Sequence, residues 1–448
     1  MAHPLPQAGP AVQYSAEDEA LFSKVSWRLM PLLIICYVIA FLDRVNIGFA
    51  QLQMKQTLPF TDAAYALGAG VFFIGYFLCE VPSNLMLEKI GARKTLLRIM
   101  FLWGICASAM MYVSSTTMFY ILRFLLGALE AGFFPGIILY LTYWYPAARR
   151  AKMIAMFMTG ATIAYLLAGP ISGAIMKYMD GFLGHYGWQW LFVTQGLPAS
   201  FLGIAAFLYL QDKPDDAKWL STGERARLNQ LIAEGAQQAG GGASHGSFWP
   251  LFKDPKVMLM CVSYFMLLGA TYIMVFWTPT LIKSWGVKDV FIVGLMSAVG
   301  PLVALCGMLL IGRSSDRRGE RRRHFLFCCA LSVLGALGAA LTQGNIVASM
   351  VSLALLTTGQ SASTPILFAA LSEYLPKKTA AGGIALVSSL GNLGPSVSPS
   401  IATWLVATTG TPTMGLYLVV VMWILCGLSL MAVVRPRAVG AGIRTAAA

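Results

Sequence analysis

Twelve long apolar segments constrain the fold of this chain more than any other feature. Each approaches or exceeds the roughly 20 residues that an α-helix needs to cross about 30 Å of hydrocarbon. A bilayer offers no partners for backbone N–H and C=O groups, so these segments must be helices rather than open strands. The predicted spans are 27–50, 64–87, 95–115, 117–142, 152–177, 188–210, 256–282, 290–312, 324–343, 345–372, 382–408 and 412–434.

Composition supports lipid as the main solvent of the chain. Of its 448 residues, 57% are hydrophobic and only 11% are charged, whereas about 25% are charged in a typical soluble domain. Residues 1–24 are polar and mixed, and they lack the short apolar core of a cleavable signal peptide. All eight cysteines fall in predicted spans without metal-ligand spacing. The sequence therefore predicts an all-α integral membrane protein with no metal site.

The distribution of basic residues predicts how the helices are oriented. Loops on the cytoplasmic side of a membrane carry an excess of Lys and Arg. With the N-terminus inside, Arg44 and Arg123 lie within spans and only four of the 32 basic residues fall outside. These four are Lys55, Lys177, Lys283 and Lys288. We therefore expect both termini in the cytoplasm, and a net charge of +13 that reflects topology rather than nucleic-acid binding.

A short motif occurs once in each half of the chain. Glu88–Lys94 reads EKIGARK and Asp316–Arg322 reads DRRGERR, so acid, Gly and bases follow the same order. Both copies are expected on the same side of the membrane. Such a repeat predicts two pseudo-symmetric six-helix bundles, with a substrate site between them at mid-membrane depth. We expect the two motifs to close a cytoplasmic gate. The alternative is that they are ordinary turns whose basic residues only reflect the excess of Lys and Arg in cytoplasmic loops. The residues assigned to the gate are Glu88, Gly91, Arg93, Asp316, Arg317, Gly319 and Arg321.

The chain is expected to divide into five segments. Bundles at 25–210 and 256–434 are joined by a cytoplasmic linker at 211–255, and cytoplasmic tails occupy 1–24 and 435–448. Within the linker, Ser221 or Thr222 is expected to cap a surface helix over residues 220–239. The following stretch GGGASHGS, residues 240–247, is typical of a flexible linker.

Five charged side chains lie more than one helical turn inside the predicted spans, all in the first half: Asp43, Arg44, Glu80, Arg123 and Glu130. Each would cost roughly 2.5–3.5 kcal/mol at a span centre, so they must pair, face water or change protonation. Two arginines near one aspartate leave a positive charge for an anion, and the planar guanidinium suits a carboxylate.

The two central carboxyl groups are the candidates for proton coupling. Glu130 lies near the midplane, where burial favours the neutral acid, so it can bind and release a proton. Asp43 is expected to lie closer to an arginine and to remain ionised more readily. The alternative is a structural Asp43–Arg123 salt bridge with Glu130 as a neutral neighbour.

The second half supplies uncharged polar groups at the same depth. Ser388 and Asn392 share a polar face of span eleven, which Gly391 and Gly394 are expected to interrupt. Hydrogen bonding between helices is the alternative role of the serines. The predicted anion site comprises Arg44, Arg123, Tyr37, Tyr76, Gln360, Ser361, Ser388 and Asn392.

Several segments carry a recognisable family pattern. They are FLDRVNIGFA (41–50), GVFFIGYFLCEVPSNLMLEKIGARK (70–94), RFLLGALEAGFFPGIILYLTYWYP (123–146), GRSSDRRGERR (312–322) and GNLGP (391–395). The fourth resembles the signature loop of the major facilitator superfamily. The others are similar to its anion:cation symporter family, and most to the tartrate and aromatic-acid permeases, such as those for hydroxyphenylacetate and phthalate-like acids.

The resemblance implies a proton-coupled symporter of the bacterial inner membrane that imports a small organic anion by alternating access. Tartrate, a sugar acid or an aromatic acid would fit the family equally well. In such transporters an Asp-Arg pair in span one, here Asp43 and Arg44, binds the anion and couples protons. Glu130 corresponds to the other proton site, Arg123 to the span-four Arg and Asn392 to the span-eleven Asn. We expect a monomer with protons as the coupling ion, and neither a cofactor nor a nucleic-acid partner.

Other functions stay open at this point. An organic-anion or phosphate-ester antiporter would need arginines without proton-carrying acids, so Asp43 and Glu130 disfavour it. A nutrient sensor built on a transporter fold would need a signalling surface, and the sequence shows no added domain. An enzyme is disfavoured because neither a GxxxxGK[ST] nor an HExxH motif is present.

Overall fold

The computed structural model describes residues 14–238, 249–375, 380–411 and 413–433. Helices dominate this part of the chain, and it contains no strand. The helices are α1 Ala16–Val45, α2 Ile47–Thr57, α3 Asp62–Ile90, α4 Ala92–Ala109, α5 Thr116–Glu130, α6 Phe133–Trp144, α7 Ala147–Tyr178, α8 Gly187–Tyr209, α9 Thr222–Gln238, α10 Trp249–Phe252, α11 Pro255–Ser284, α12 Val290–Arg318, α13 Arg322–Leu341, α14 Ile346–Tyr374, α15 Ala380–Gly391, α16 Gly394–Thr409 and α17 Met414–Val433.

The helices confirm the predicted membrane fold. Eleven helical stretches within the described residues are long and apolar enough to cross a bilayer. The remaining predicted span, 382–408, is formed by α15 and α16 together, each too short to cross alone. The chain breaks at Asn392, between the two glycines, as predicted. Pro395 then lies in the first turn of α16, where its missing N–H costs no helical hydrogen bond.

Predicted span four also breaks, at the residue that carries its acid. Helix α5 ends at Glu130 and α6 begins at Phe133. Between them Gly132 has a left-handed φ of 88°, and a Cβ there would lie 2.4 Å from Ser83 Oγ. Both conditions favour glycine. The break leaves Glu130 at the C-terminal end of a helix rather than in the middle of one.

The segment between the halves docks on the first half. Its predicted helix at 220–239 is confirmed as α9, capped by Ser221 Oγ, which accepts from Glu224 N at 3.2 Å. Lys24 Nζ contacts Glu224 Oε1 at 2.7 Å, and Arg227 Nε donates to Asp18 Oδ1 at 2.8 Å. We call the end of the molecule that carries α9 the linker face and the opposite end the far face. The predicted flexible stretch 240–247 lies outside the described residues.

The two halves meet most closely near the far face. Gly169 in α7 and Gly294 in α12 pack backbone to backbone, because a Cβ on either would lie 2.2 Å from the carbonyl oxygen of the other. Gln51 Nε2 of α2 donates to Phe276 O of α11 at 2.7 Å. The ion pair described between the halves, from Lys177 to Asp289, also lies at this end. The far face is therefore closed in this conformation.

Candidate functional site

An ion pair between Arg44 and Glu130 lies at the centre of the candidate site. The Arg44 Nη2 donates to Glu130 Oε1, which joins α1 to the C-terminal end of α5. The Glu130 side chain is 1% exposed and that of Arg44 is 15% exposed, so solvent reaches mainly the arginine. Arg44 Nε and Glu130 Oε2 have no hydrogen-bond partner among the described residues. The hydrogen-bonding capacity of the pair is therefore only half used: Arg44 Nε can still donate to an anion, and Glu130 Oε2 can still take up a proton.

This pairing corrects the one expected from the sequence. Asp43, expected to lie nearest an arginine, instead accepts hydrogen bonds from Trp103 Nε1 at 2.7 Å and Asn46 Nδ2 at 3.0 Å. In the part of the chain that the structure describes, no Asp43–Arg123 salt bridge forms. Of the two predicted proton-coupling acids, Glu130 is the one that forms an ion pair, and its partner is Arg44. The reason is helical geometry, since consecutive residues project about 100° apart. The side chains of Asp43 and Arg44 therefore point in different directions and contact different partners.

Arg123 is directed at backbone rather than at open space. It is 1% exposed, and its Nε and Nη2 donate to Gly68 O at 3.2 Å and Ala69 O at 3.5 Å. Its guanidinium also lies 4.9 Å from the centroid of the Phe72 ring. These contacts tie α5 to α3. The role of Arg123 as an anion ligand stays a prediction, and Arg44 is the more accessible of the two arginines.

Aromatic rings surround Arg44. The ring centroids of Phe41, Tyr76 and Phe72 lie 5.1, 5.4 and 5.6 Å from its guanidinium carbon. Tyr272 of α11 interacts electrostatically with Arg44, so the second half also reaches the site. Cation–π contacts of this kind stabilise a cation that has left water. The predicted residue Tyr76 is thus at the site.

The other predicted residues occupy more varied positions. Tyr37 stacks on Phe157 with ring centroids 4.3 Å apart, in an aromatic cluster beside α1. Gln360 is buried, and its Oε1 has no partner among the described residues. Ser361 and Ser388 are half-buried, as is Asn392 at the break between α15 and α16. The structure describes no direct contact between these last four residues and Arg44.

The comparison with known families decides what kind of protein this is. The sequence profile of the Major Facilitator Superfamily matches residues 33–344 and 288–447. The chain belongs to this superfamily.

Relatives of this superfamily member include named bacterial transport proteins. NicT of Pseudomonas putida, a candidate metabolite transport protein by name, is 44% identical over 393 residues, which span 88% of this chain and 90% of NicT. A candidate tartrate transporter of Agrobacterium vitis is 44% identical over 402 residues, spanning 90% of this chain and 88% of that protein. The crystal structure of a D-xylose-proton symporter has a TM-score of 0.73 at 15% identity, covering 91% of this chain and 98% of that one. This last likeness shows the fold alone.

The two superfamily motifs form turns whose charged groups pair within their own half. Gly91 and Gly319 both have a left-handed φ, of 87° and 58°. The Arg93 guanidinium donates to Phe207 O at 2.6 and 3.0 Å. Arg321 contacts Asp316 Oδ1 at 2.5 Å and Glu373 Oε1 at 3.0 Å. The side chain of Glu88 lies outside the described residues, and Arg317 is exposed. Within the described residues, no ion pair joins the two halves at the linker face.

Sequence reasoning missed the groups that hold Asp43. Asn46 lies about one turn after Asp43, at the C-cap of α1, so the spacing could have indicated it. Trp103 comes from another helix, and nothing in the sequence signals that its N–H reaches a carboxylate. Phe41 and Phe72 were missed because aromatic residues are abundant in membrane spans and only the packing shows which ones face a cation.

Proposed function

We propose that this transporter imports a small organic anion together with protons across the bacterial inner membrane by alternating access. The linker face is cytoplasmic, both termini lie inside, and protons are the coupling ion, with no cofactor. The protein works as a monomer, since the proposed site is built within one chain. The far face is closed, and within the described residues no ion pair joins the halves at the linker face, so we infer that this conformation is inward-open.

The half-satisfied Arg44–Glu130 pair carries this proposal. An entering carboxylate competes with Glu130 for the Arg44 guanidinium, which can bind a carboxylate with two parallel N–H groups. Once displaced, Glu130 would be a buried charge without a partner, which is costly. Its place at the C-terminal end of α5 also disfavours a negative charge. Protonation of Glu130 removes this cost, so binding of the anion and binding of a proton support each other.

The surroundings of Arg44 favour substrates with one carboxylate and a flat apolar body. The described parts of the membrane helices in the second half carry no acidic or basic residue away from their ends. Arg123 is held by backbone, so one guanidinium remains for the substrate. Rings of Phe41, Phe72 and Tyr76 lie beside it and can pack against an aromatic acid. Tartrate, the substrate named for a relative, would bring a second carboxylate without a cation to receive it.

A ligand screen tests this preference. We expect 4-hydroxybenzoate to raise the thermal unfolding temperature of the purified protein by a few degrees at 100 times its Kd, where binding adds about 2.7 kcal/mol. Tartrate at equal concentration should stabilise it less, and the uncharged amide of the same aromatic acid should not stabilise it. Equal stabilisation by the acid and its amide would show that the protein has no anion site of this kind. A larger shift with tartrate would overturn only the preference for one carboxylate.

Closure of the far face can be tested at its glycine contact. Gly169→Ala places a Cβ 2.2 Å from Gly294 O, so the halves must separate there. Overpacking costs about 1–3 kcal/mol, which shifts the equilibrium toward an open far face by roughly tenfold. Gly312→Ala in α12 is the matched control, because a Cβ there meets nothing within 4 Å.

The measurement is labelling of a cysteine placed at Ser297, whose Cβ lies 3.3 Å from the Gly169 Cβ position. In a background without other cysteines, an impermeant maleimide added from the far side should react faster in Gly169→Ala than in the control. Transport should slow in the same variant. Equal labelling rates in both variants would show that this contact does not close the far face.

A further inference from the structure

An open cavity of about 390 Å³ lies between the linker-face ends of α12 and α13, away from the Arg44 site. Leu310, Ile311 and Phe327 form its apolar part. Leu310 is 67% exposed and Phe327 is 54% exposed. Both belong to helices long and apolar enough to span the membrane, so these exposed side chains have acyl chains as their natural neighbours. One end of the cavity is therefore suited to hydrocarbon.

The other end of the cavity is basic. Arg318, Arg323, His324 and Ser314 line it. Neither Arg318 nor Arg323 forms an ion pair within the described residues, although Arg321 between them in sequence contacts two carboxylates. Two guanidinium groups thus face the same cavity with their charge uncompensated. Such a site attracts an anion, and guanidinium groups bind phosphate oxygens well.

The nearest carboxylate is already engaged. Both Glu320 carboxylate oxygens accept from Arg323 N at 2.9 Å, at the start of α13. Glu320 Oε2 also lies 3.2 Å from His324 Nδ1, and His324 Nε2 lies 3.0 Å from Ser314 Oγ. Glu320 therefore fixes the turn and the imidazole ring, and its charge is committed to the backbone. The two arginine side chains keep their donors for an outside ligand.

We propose that this cavity binds an anionic phospholipid, with its phosphate on Arg318 and Arg323 and an acyl chain against Leu310 and Phe327. Basic pockets between membrane helices on the cytoplasmic side are suited to such headgroups. A free phosphate would use only the basic end, and a zwitterionic lipid would bring an ammonium group beside two arginines. The cavity adjoins the Asp316–Arg322 motif, so the bound lipid restrains the turn that carries it.

The test compares two double variants with the same change in charge. Arg318→Gln with Arg323→Gln removes both guanidinium groups from the cavity. Arg313→Gln with Arg322→Gln is the control, because these residues lie on the same helices but do not line the cavity. Delipidated protein in detergent is titrated with phosphatidylglycerol, and bound lipid is counted by native mass spectrometry. We expect roughly tenfold or greater weakening in the first variant, at about 1 kcal/mol per basic residue, and little change in the control.

Further arms separate the lipid from other ligands. Phosphatidylcholine should bind more weakly than phosphatidylglycerol to the unmodified protein, and glycerol 3-phosphate should bind much more weakly still. Phe327→Ala should weaken lipid binding without affecting glycerol 3-phosphate. Equal weakening in both double variants would overturn the site, because it would indicate attraction by general surface charge. Glycerol 3-phosphate binding as tightly as the lipid would overturn the lipid assignment.

Discussion

Arg44→Lys is expected to reduce uptake roughly 10- to 100-fold while the protein still inserts and folds. A hydrogen bond to a charged group contributes about 1.5–3 kcal/mol, and lysine cannot offer the planar pair of donors that a carboxylate accepts. Lysine keeps the positive charge, so the pairing partner of Glu130 is not lost. Uptake of the labelled acid in proteoliposomes measures the effect, with thermal stability recorded on the same preparation.

Arg123→Lys is the matched control for this change. The guanidinium of Arg123 is 1% exposed and bonds to Gly68 O and Ala69 O, so its loss should lower the unfolding temperature. The affinity of folded protein for the acid should change less than in Arg44→Lys. Near-normal uptake by Arg44→Lys would show that Arg44 does not bind the anion. The reverse ranking of the two variants in ligand affinity would assign the anion to Arg123 instead.

Glu130→Gln is expected to keep exchange of substrate and to lose accumulation driven by a proton gradient. Glutamine has the shape of the protonated acid, and its Oε1 can still accept from Arg44, so the site remains assembled. It has no carboxyl group to bind and release a proton, so transport no longer depends on the pH difference. Counterflow and proton-driven uptake, measured on the same proteoliposomes, separate the two functions. Continued concentration of substrate by this variant would make Glu130 a structural acid.

Asp43→Asn provides the comparison for that result. Asp43 accepts from the N–H groups of both Trp103 and Asn46, and an asparagine would turn its own NH₂ toward one of those donors. The unfolding temperature should therefore fall, and exchange should fall with it. This pattern differs from that of Glu130→Gln, in which exchange survives.

The sequence was sufficient for much of the fold because its signals are local. Apolar length alone identifies a membrane helix, and Gly391, Gly394 and Pro395 mark the break in span eleven without reference to the rest of the chain. The position of α9 followed in the same way from the Ser221 cap and the helical pattern behind it. Each of these features depends on residues that are close in sequence.

Pairing between helices could not be obtained in this way. Arg123 and Glu130 lie seven residues apart in one predicted span, but nothing in that spacing shows which side of α1 they meet. The rotation of α1 directs Arg44 to Glu130 and Asp43 to Trp103, and this rotation is set by packing across several helices. The break at Gly132 is a second difference from the predicted continuous span, and composition does not reveal it. It places Glu130 at a helix end. The set of polar residues was therefore predictable, whereas their partners were not.

Proton movement driven by substrate tests the central claim most directly. Proteoliposomes containing the unmodified protein and an internal pH-sensitive dye are given an inward gradient of the transported acid, at equal pH and with the membrane potential clamped. The proposed coupling predicts acidification of the interior that depends on substrate and is absent in Glu130→Gln, although labelled acid still crosses in both. Transport of the acid by the unmodified protein without any change in internal pH would contradict the account.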